Sequence, residues 1–147
     1  MIAGVRRRLL DTHADARGSL TELLRSDWEE CGSGFGQAIM TVNLPGVIRG
    51  WHWHRVQTDR IVVLLGEAKV PLYDARPGSA THGLLEENIL RGERLELLLV
   101  PPGVYHGYRT TSPGPALIVN FPDRTYDPQE PDEERVPFDA PEIGYRW

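Results

Sequence analysis

The sequence has little cysteine and no long apolar run. Its 147 residues contain one cysteine, Cys31, so no disulfide can form within the chain, which suits a reducing compartment. No apolar run approaches the roughly 20 residues that a membrane-spanning helix requires, and the N-terminal residues lack a signal-peptide pattern. We therefore expect a cytoplasmic protein without a membrane partner.

The chain also lacks an excess of positive charge. Its net charge is -5, and its longest basic run is the three arginines Arg6 to Arg8. Nucleic-acid-binding proteins carry a basic patch or stripe, so we expect no nucleic-acid partner. We interpret the three arginines as a solvated edge of the protein.

Turn residues and short apolar runs are abundant. The 15 glycines and 12 prolines fit a chain with many turns. Runs rich in Val, Ile, Leu and aromatic residues predict strands over residues 38–44, 47–53, 61–65, 68–73, 95–100 and 116–121. Their spacing predicts one all-β domain over residues 1–147, built as an antiparallel sandwich or barrel. Residues 20–30 and 86–89 are predicted to form short helical turns.

The C-terminal segment from Pro122 onward is acidic and rich in proline. Such a composition is compatible with disorder. However, apolar residues recur at its end, at Phe138, Ile143, Tyr145 and Trp147. We expect these side chains to dock on the body of the protein and to order the segment.

A pair of histidines is the most informative local pattern. His52 and His54 fall within a predicted strand, where residues two apart share a face. Asp59 follows soon after, and His106 ends the later segment 101–106. Such a group suits a metal ion, or it presents one imidazole to a substrate as a base. The spacing alone leaves both uses open.

Two motifs resemble those of the cupin family. The first runs through Gly46, His52, His54, Asp59 and Gly66, with aspartate in place of the usual glutamate, and the second through Pro101, Gly103 and His106. The resemblance implies a double-stranded β-helix, which is a jelly roll of two sheets. This implied fold agrees with the strands predicted from the apolar runs.

A closer resemblance, covering residues 11 to 147, is to the dTDP-4-dehydrorhamnose 3,5-epimerase family, the RmlC-like cupins. Its blocks are Asp15-x-Arg17-Gly18-x-x-x-Glu22, Gly46-Val-Ile-Arg49-Gly50-x-His52, Tyr73-Asp-x-Arg76-x-x-Ser79, Pro101-x-Gly-x-x-His106-Gly-Tyr108 and Pro141-Glu-Ile143-Gly-x-x-Trp147. The resemblance implies a carbohydrate isomerase that needs no cofactor. Its substrate would be a nucleotide-linked keto sugar or a related carbonyl compound, which loses a proton alpha to the carbonyl.

The resemblance also implies roles for individual residues. His52 would be the catalytic base, and Arg60 would stand in for the family's enolate-stabilising lysine. Arg17 and Arg49 would contact the diphosphate and nucleotide, and Glu22 would lie on the same strand as Arg17. That strand is commonly lent by the partner subunit, so the resemblance implies a homodimer. His106 and Asn120 complete the expected substrate-binding residues.

The chain departs from the family at two catalytic positions. The place of the aspartate that holds the base is taken by Ala140, and the place of the acid tyrosine by Asn120. Asp139 is one candidate for the missing aspartate, and Tyr105, Tyr108 and Tyr126 are candidates for the missing acid. With this incomplete set we do not expect full double epimerisation.

Two alternatives remain beside the epimerase. His54 stands where the family typically has glutamine, so His52, His54, Asp59 and His106 form a possible site for Fe, Mn, Ni, Co or Zn in a metal-dependent cupin enzyme. A metal on His52 would occupy the lone pair that a base needs, so the two uses exclude each other at this residue. A non-catalytic sugar-nucleotide-binding protein is the other alternative.

Overall fold

The computed structural model describes residues 1–147. Its elements in chain order are β1 (Arg6–Leu9), β2 (Thr12–Asp15), β3 (Gly18–Thr21), a 3-10 turn (Glu29–Cys31), β4 (Ile39–Asn43), β5 (Ile48–His54), β6 (Asp59–Leu65), β7 (Glu67–Asp74), β8 (Leu85–Arg91), β9 (Glu96–Val100), β10 (Val104–Thr110), β11 (Ala116–Asn120) and β12 (Glu133–Arg135). No helix in the structure has the length and apolar character to cross a membrane.

The strands form two antiparallel sheets of five strands each. One has the order β1-β9-β6-β11-β4 and the other β12-β5-β10-β7-β8. Alternate side chains from both sheets meet in one core cluster, which includes Ile61, Val63, Val70, Leu72 and Leu98, each 2% exposed or less. This arrangement confirms the predicted all-β jelly roll.

The six predicted strands are present, as β4, β5, β6, β7, β9 and β11. The helical turn predicted over residues 86–89 is wrong, because these residues belong to β8, which pairs with β7. Asn88 and Leu90 are buried, whereas Ile89 between them is half-buried and Glu87 and Arg91 are exposed, and this period of two is that of a strand. The helical turns predicted over residues 20–30 are present only in part. This segment begins in β3, and its one helical turn is the 3-10 turn at Glu29–Cys31.

The C-terminal segment is ordered and crosses the second sheet. Ala140 and Ile143 are buried against Trp51, and the Trp147 ring lies 4.9 Å from the Trp51 ring. The predicted docking is therefore confirmed for the end of the segment. It is wrong for the Phe138 side chain, which is 51% exposed, although its carbonyl accepts a hydrogen bond from Trp51 Nε1 at 3.2 Å.

Strands β2 and β3 form a separate two-stranded sheet. They pair only with each other, and nearly all of their residues are exposed. A two-stranded hairpin alone is marginally stable in water. The hairpin therefore offers unpaired edges beside the two large sheets.

Candidate active site

The pairing of β5 with β10 sets the faces on which the candidate residues lie. His52 is opposite His106, and Arg49 is opposite Tyr108. These two pairings differ in register, so a β-bulge lies between them. Because directly opposed residues share a face, the bulge places Arg49 on the same face as His52, which simple alternation would not predict.

The three histidines lie together, as the sequence predicted. The His52 and His106 rings are stacked with centroids 6.0 Å apart, and the His54 and His106 rings are 5.6 Å apart. Trp53 is on the other face of β5, where its ring lies 6.2 Å from that of Tyr105. The strand period of two places His52 and His54 on one face of β5, and the pairing with β10 adds His106 to them.

Asp59 is the centre of this group and is 1% exposed. Its Oδ2 atom lies 2.9 Å from His106 Nε2 and 3.2 Å from His54 Nε2. Its Oδ1 atom accepts hydrogen bonds from Asn120 Nδ2 at 2.7 Å and from Gln57 Nε2 at 2.9 Å. Four side chains thus converge on one buried carboxylate.

The charges of this group are coupled. Burial opposes ionisation of Asp59, but the contacts with His106 and His54 hold the pKa of that carboxyl far below its usual range. Burial also opposes the charged form of His54, yet Asp59 and the nearby carboxylates of Glu133 and Asp132 raise the pKa of His54 overall. Asp59 is therefore an anion at neutral pH.

His52 contacts a different carboxylate. Its Nδ1 atom lies 3.2 Å from Oε1 of Glu133, and both side chains are 22% exposed. The contact with His52 lowers the pKa of Glu133 to about 2, against the effect of burial. Glu133 comes from β12, which pairs with β5 at the edge of the sheet.

The metal-ligating geometry excludes His52. One ligand atom from each of His54, Asp59 and His106 lies within 4.8 Å of the others, and His52 is not part of this set. The predicted four-residue site is therefore corrected to three residues. Since His52 stands apart, a metal and a base no longer compete for the same imidazole.

A cleft of about 1150 Å³ opens beside His54. It is lined by side chains from the start of β4, the β5–β6 connection, the 124–132 segment and β12: Gln37, Ile39, His54, Arg55, Val56, Gln57, Arg124, Thr125, Tyr126, Asp127, Glu130, Pro131, Asp132, Glu133 and Arg135. Three arginines face four carboxylates in this lining. Its polar character suits a charged, hydroxyl-rich ligand.

Arg60 does not lie with the histidines. It is fully buried, and its guanidinium donates to the carbonyls of Glu30 and Phe121 and to Ser33 Oγ. Asp59 and Arg60 are consecutive in β6, so their side chains leave opposite faces of the strand. In this structure Arg60 fixes the loop before β4, on the side of β6 opposite Asp59 and the histidines.

The nucleotide-binding candidates also lie apart from the cleft. Arg17 is on the turn of the β2–β3 hairpin, 90% exposed, and pairs with Asp15. Glu22 pairs with Arg25 on the surface. Arg49 is exposed and donates to Asn43 Oδ1 at 3.1 Å. None of the three lines the cleft of this protomer.

The candidates for the missing family residues are separated by the structure. Ala140 is buried, and Asp139 is exposed without any ion pair. Tyr105 is on the Trp53 face, and Tyr108 packs against the core. Tyr126 is the one of the three tyrosines that lines the cleft.

Sequence reasoning missed Gln57, Asp132 and Glu133. Gln57 is two residues before Asp59, so its spacing was a usable signal. Asp132 and Glu133 fall in the acidic segment, where composition suggested only solvated charge. They reach the histidines because β12 pairs with β5, and no local pattern encodes that pairing.

Comparisons with known proteins agree with the family resemblance predicted from the sequence. A model of the dTDP-4-dehydrorhamnose 3,5-epimerase family matches residues 1–147. The chain is 41% identical over 147 residues to the spore coat polysaccharide biosynthesis protein SpsL of Bacillus subtilis, covering 100% of this chain and 97% of that protein. It is 36% identical over 141 residues to the probable low-salt glycan biosynthesis epimerase Agl13 of Haloferax volcanii, covering 95% of this chain and 90% of that protein.

A solved structure is also similar over nearly the whole chain. The dTDP sugar isomerase from Desulfovibrio desulfuricans superposes with a TM-score of 0.92 at 32% identity, covering 99% of this chain and 92% of that chain. The match supports the jelly-roll fold. This chain belongs to the dTDP-4-dehydrorhamnose 3,5-epimerase family.

Proposed function

We propose that this protein is an epimerase of a nucleotide-linked keto sugar, with His52 as the base. The observation that carries the proposal is the position of His52 on β5, with Nδ1 facing a carboxylate. Its Nε2 atom is then the nitrogen left to meet a substrate. Family membership supplies the substrate class.

The chemistry is a proton transfer in two steps. Nε2 of His52 takes the proton from the carbon alpha to the ketone, and the C–H electron pair moves into an enolate whose charge rests on the carbonyl oxygen. A proton then returns to the same carbon from the opposite side, which inverts the centre. No electron is gained or lost, so no redox cofactor is needed.

Tyr126 is our candidate for the second proton donor. Its side chain is 60% exposed and lines the cleft, so its hydroxyl is available to a ligand there. Tyr126→Phe is expected to lower kcat by about 100-fold without unfolding the protein, because general acid catalysis contributes at least that much. Tyr105→Phe, on the opposite face, is the matched control. An unchanged kcat in Tyr126→Phe would remove Tyr126 from the mechanism.

A homodimer would account for the placement of Arg17 and Glu22. The β2–β3 hairpin is exposed and unpaired with the large sheets, so it is free to reach a neighbouring subunit. We propose that the partner's hairpin brings its arginine to this cleft. Analytical ultracentrifugation should give a dimer, and Arg17→Ala should raise KM more than it lowers kcat.

The test of the activity is solvent exchange. Incubation with dTDP-4-dehydrorhamnose in D2O should add one deuterium per exchanged centre, which mass spectrometry detects. A single deuterium would indicate epimerisation at one carbon and two would indicate both. No incorporation with the wild type, with tight binding of the nucleotide sugar, would instead support the non-catalytic binding protein.

A bound divalent transition metal is the second candidate, and it would involve His54, Asp59 and His106. His106 Nδ1 lies 3.2 Å from the Val104 carbonyl, which only accepts hydrogen bonds, so Nδ1 carries a proton. Nε2 then turns a lone pair toward Asp59 Oδ2, and only a cation between them, a proton or a metal ion, makes that contact favourable. Metal-ligating histidines commonly show this backbone-bonded tautomer.

The distances from Asp59 to His106 and His54 are also compatible with a bound metal ion. Bonds of about 2.1 Å to one ion separate neighbouring ligand atoms by about 3.0 to 3.4 Å, close to the 2.9 and 3.2 Å observed. Gln57 Nε2 lies 3.3 Å from His54 Nε2, and His54 Nδ1 is a buried atom without a hydrogen-bond partner. Such an ion would supply Lewis acidity toward a carbonyl.

Metal analysis separates the two candidates. If the protein is a metal-dependent enzyme, the purified wild type should carry near-stoichiometric Fe, Mn, Ni, Co or Zn, and His54→Ala should lose it. Full solvent exchange by metal-free protein would reject the metal-dependent enzyme and leave the cofactor-free epimerase.

A further inference from the structure

We propose that Glu133 is the positioning residue of His52, fixing its tautomer and ring orientation for proton abstraction. This role rests on the proposed function of His52 as the base. It would give the chain a carboxylate for its base although Ala140 stands at the position of the family's aspartate. The carboxylate comes from β12, a strand that sequence reasoning did not predict.

The register of β12 explains the contact. Glu133 is opposite His54 and Arg135 is opposite His52. The Glu133 carboxylate reaches diagonally across the strand pair to His52, and such diagonal neighbours are within reach of long side chains. The backbone pairing of β12 with β5 therefore holds the carboxylate at 3.2 Å from Nδ1.

The other carboxylates near β5 are already engaged elsewhere. Asp59 contacts His54 and His106. Asp132 accepts hydrogen bonds from the backbone N–H groups of Arg55, Val56 and Gln57. Glu133 is the carboxylate that the structure places on His52, and its one further partner is the Arg135 guanidinium.

The direction of the contact has a chemical consequence. A carboxylate only accepts hydrogen bonds, so the neutral His52 ring carries its proton on Nδ1 and a lone pair on Nε2. Nε2 is thereby ready to take a proton, and the nearby negative charge stabilises the imidazolium that results. Glu133 gains no proton and forms no bond to the substrate.

The experiment combines a direct view of the ring with kinetics. Glu133→Gln keeps the shape but presents an amide, Glu133→Asp keeps the charge, and Glu134→Gln is the control on the next, exposed residue. The 15N chemical shifts of His52 report which nitrogen is protonated. We expect wild type and Glu134→Gln to show the proton on Nδ1 and Glu133→Gln to show a mixture of tautomers.

The kinetic expectation is a split between kcat and KM. Loss of a positioning partner should lower kcat of Glu133→Gln by roughly 10- to 100-fold with KM nearly unchanged, and Glu133→Asp should recover part of the loss. A His52 tautomer unchanged in Glu133→Gln would overturn the proposal, and so would a kcat equal to that of Glu134→Gln. If the wild type shows no exchange, the proposed function fails, while the NMR result still decides whether Glu133 sets the tautomer.

Discussion

His52 and His54 share one face of β5, yet they contact different carboxylates. His52 meets Glu133 and His54 meets Asp59. The two imidazoles are therefore free to perform separate tasks, one as the base and one as part of the Asp59 group. The proposed base and the proposed metal ligands are therefore different imidazoles.

Arg60 is expected to govern stability instead of catalysis. Arg60→Lys keeps the charge but loses the planar fork that reaches two carbonyls and a hydroxyl. We expect the free energy of unfolding to fall by about 1 to 3 kcal/mol, the cost of unsatisfied buried polar groups. Urea denaturation measures the loss, and exposed Arg94→Lys is the control. A large fall in kcat at unchanged stability would restore Arg60 to the active site.

Gly107 is expected to be essential to the contact between β5 and β10. A Cβ at Gly107 would lie 2.7 Å from the Arg49 carbonyl oxygen and 2.9 Å from Gly50 Cα. Because these are backbone atoms, Gly107→Ala must push β5 away and shift His52. We expect about 1 to 3 kcal/mol of lost stability together with a lower kcat.

The matched control is Gly114→Ala, where a Cβ meets nothing within 4 Å. Thermal unfolding and solvent exchange should leave this variant at wild-type values. Equal behaviour of the two variants would show that the close approach of the strands has no influence on the site.

Asp74 is expected to make stability depend on acid pH. It is fully buried and accepts hydrogen bonds from Arg76, Ser79 and Thr81. These contacts, that of Arg76 foremost, hold the pKa of Asp74 well below its usual range. Its contribution to stability is therefore full above the unfolded value of about 3.9 and declines as the pH falls below it.

Asp74→Asn tests this pH dependence. We expect the variant to unfold at lower urea concentration than the wild type at pH 7, and the difference to shrink at pH 3. Exposed Asp139→Asn serves as the control. A difference independent of pH would mean that the Asp74 charge is not the source of the stabilisation.

Local sequence patterns predicted which side chains share a face of a strand, but not which distant strands pair with each other. The apolar runs were sufficient to predict six of the strands, and alternation was sufficient to place His52 and His54 on one face. Both succeeded because strand period and burial are local properties. Arg60 was misplaced because the family resemblance aligns its position but says nothing of which face of β6 it leaves. Glu133 could not be found, since its contact depends on β12 pairing with a strand far earlier in the chain.

The bulge between β5 and β10 is a second feature hidden from the sequence. Arg49 and His52 are three residues apart, so simple alternation would place them on opposite faces of β5. The bulge places them on the same face. Gly50 and Gly107 lie at this point, and they were the only local sign that the strands approach closely there.

The most direct test of the central claim is deuterium incorporation into dTDP-4-dehydrorhamnose by wild type and His52→Asn in D2O. Wild type should add at least one deuterium, and His52→Asn should lower the rate by about 100-fold or more while it keeps its fold and its affinity for the nucleotide sugar. Incorporation by His52→Asn at the wild-type rate would contradict the assignment of His52 as the base.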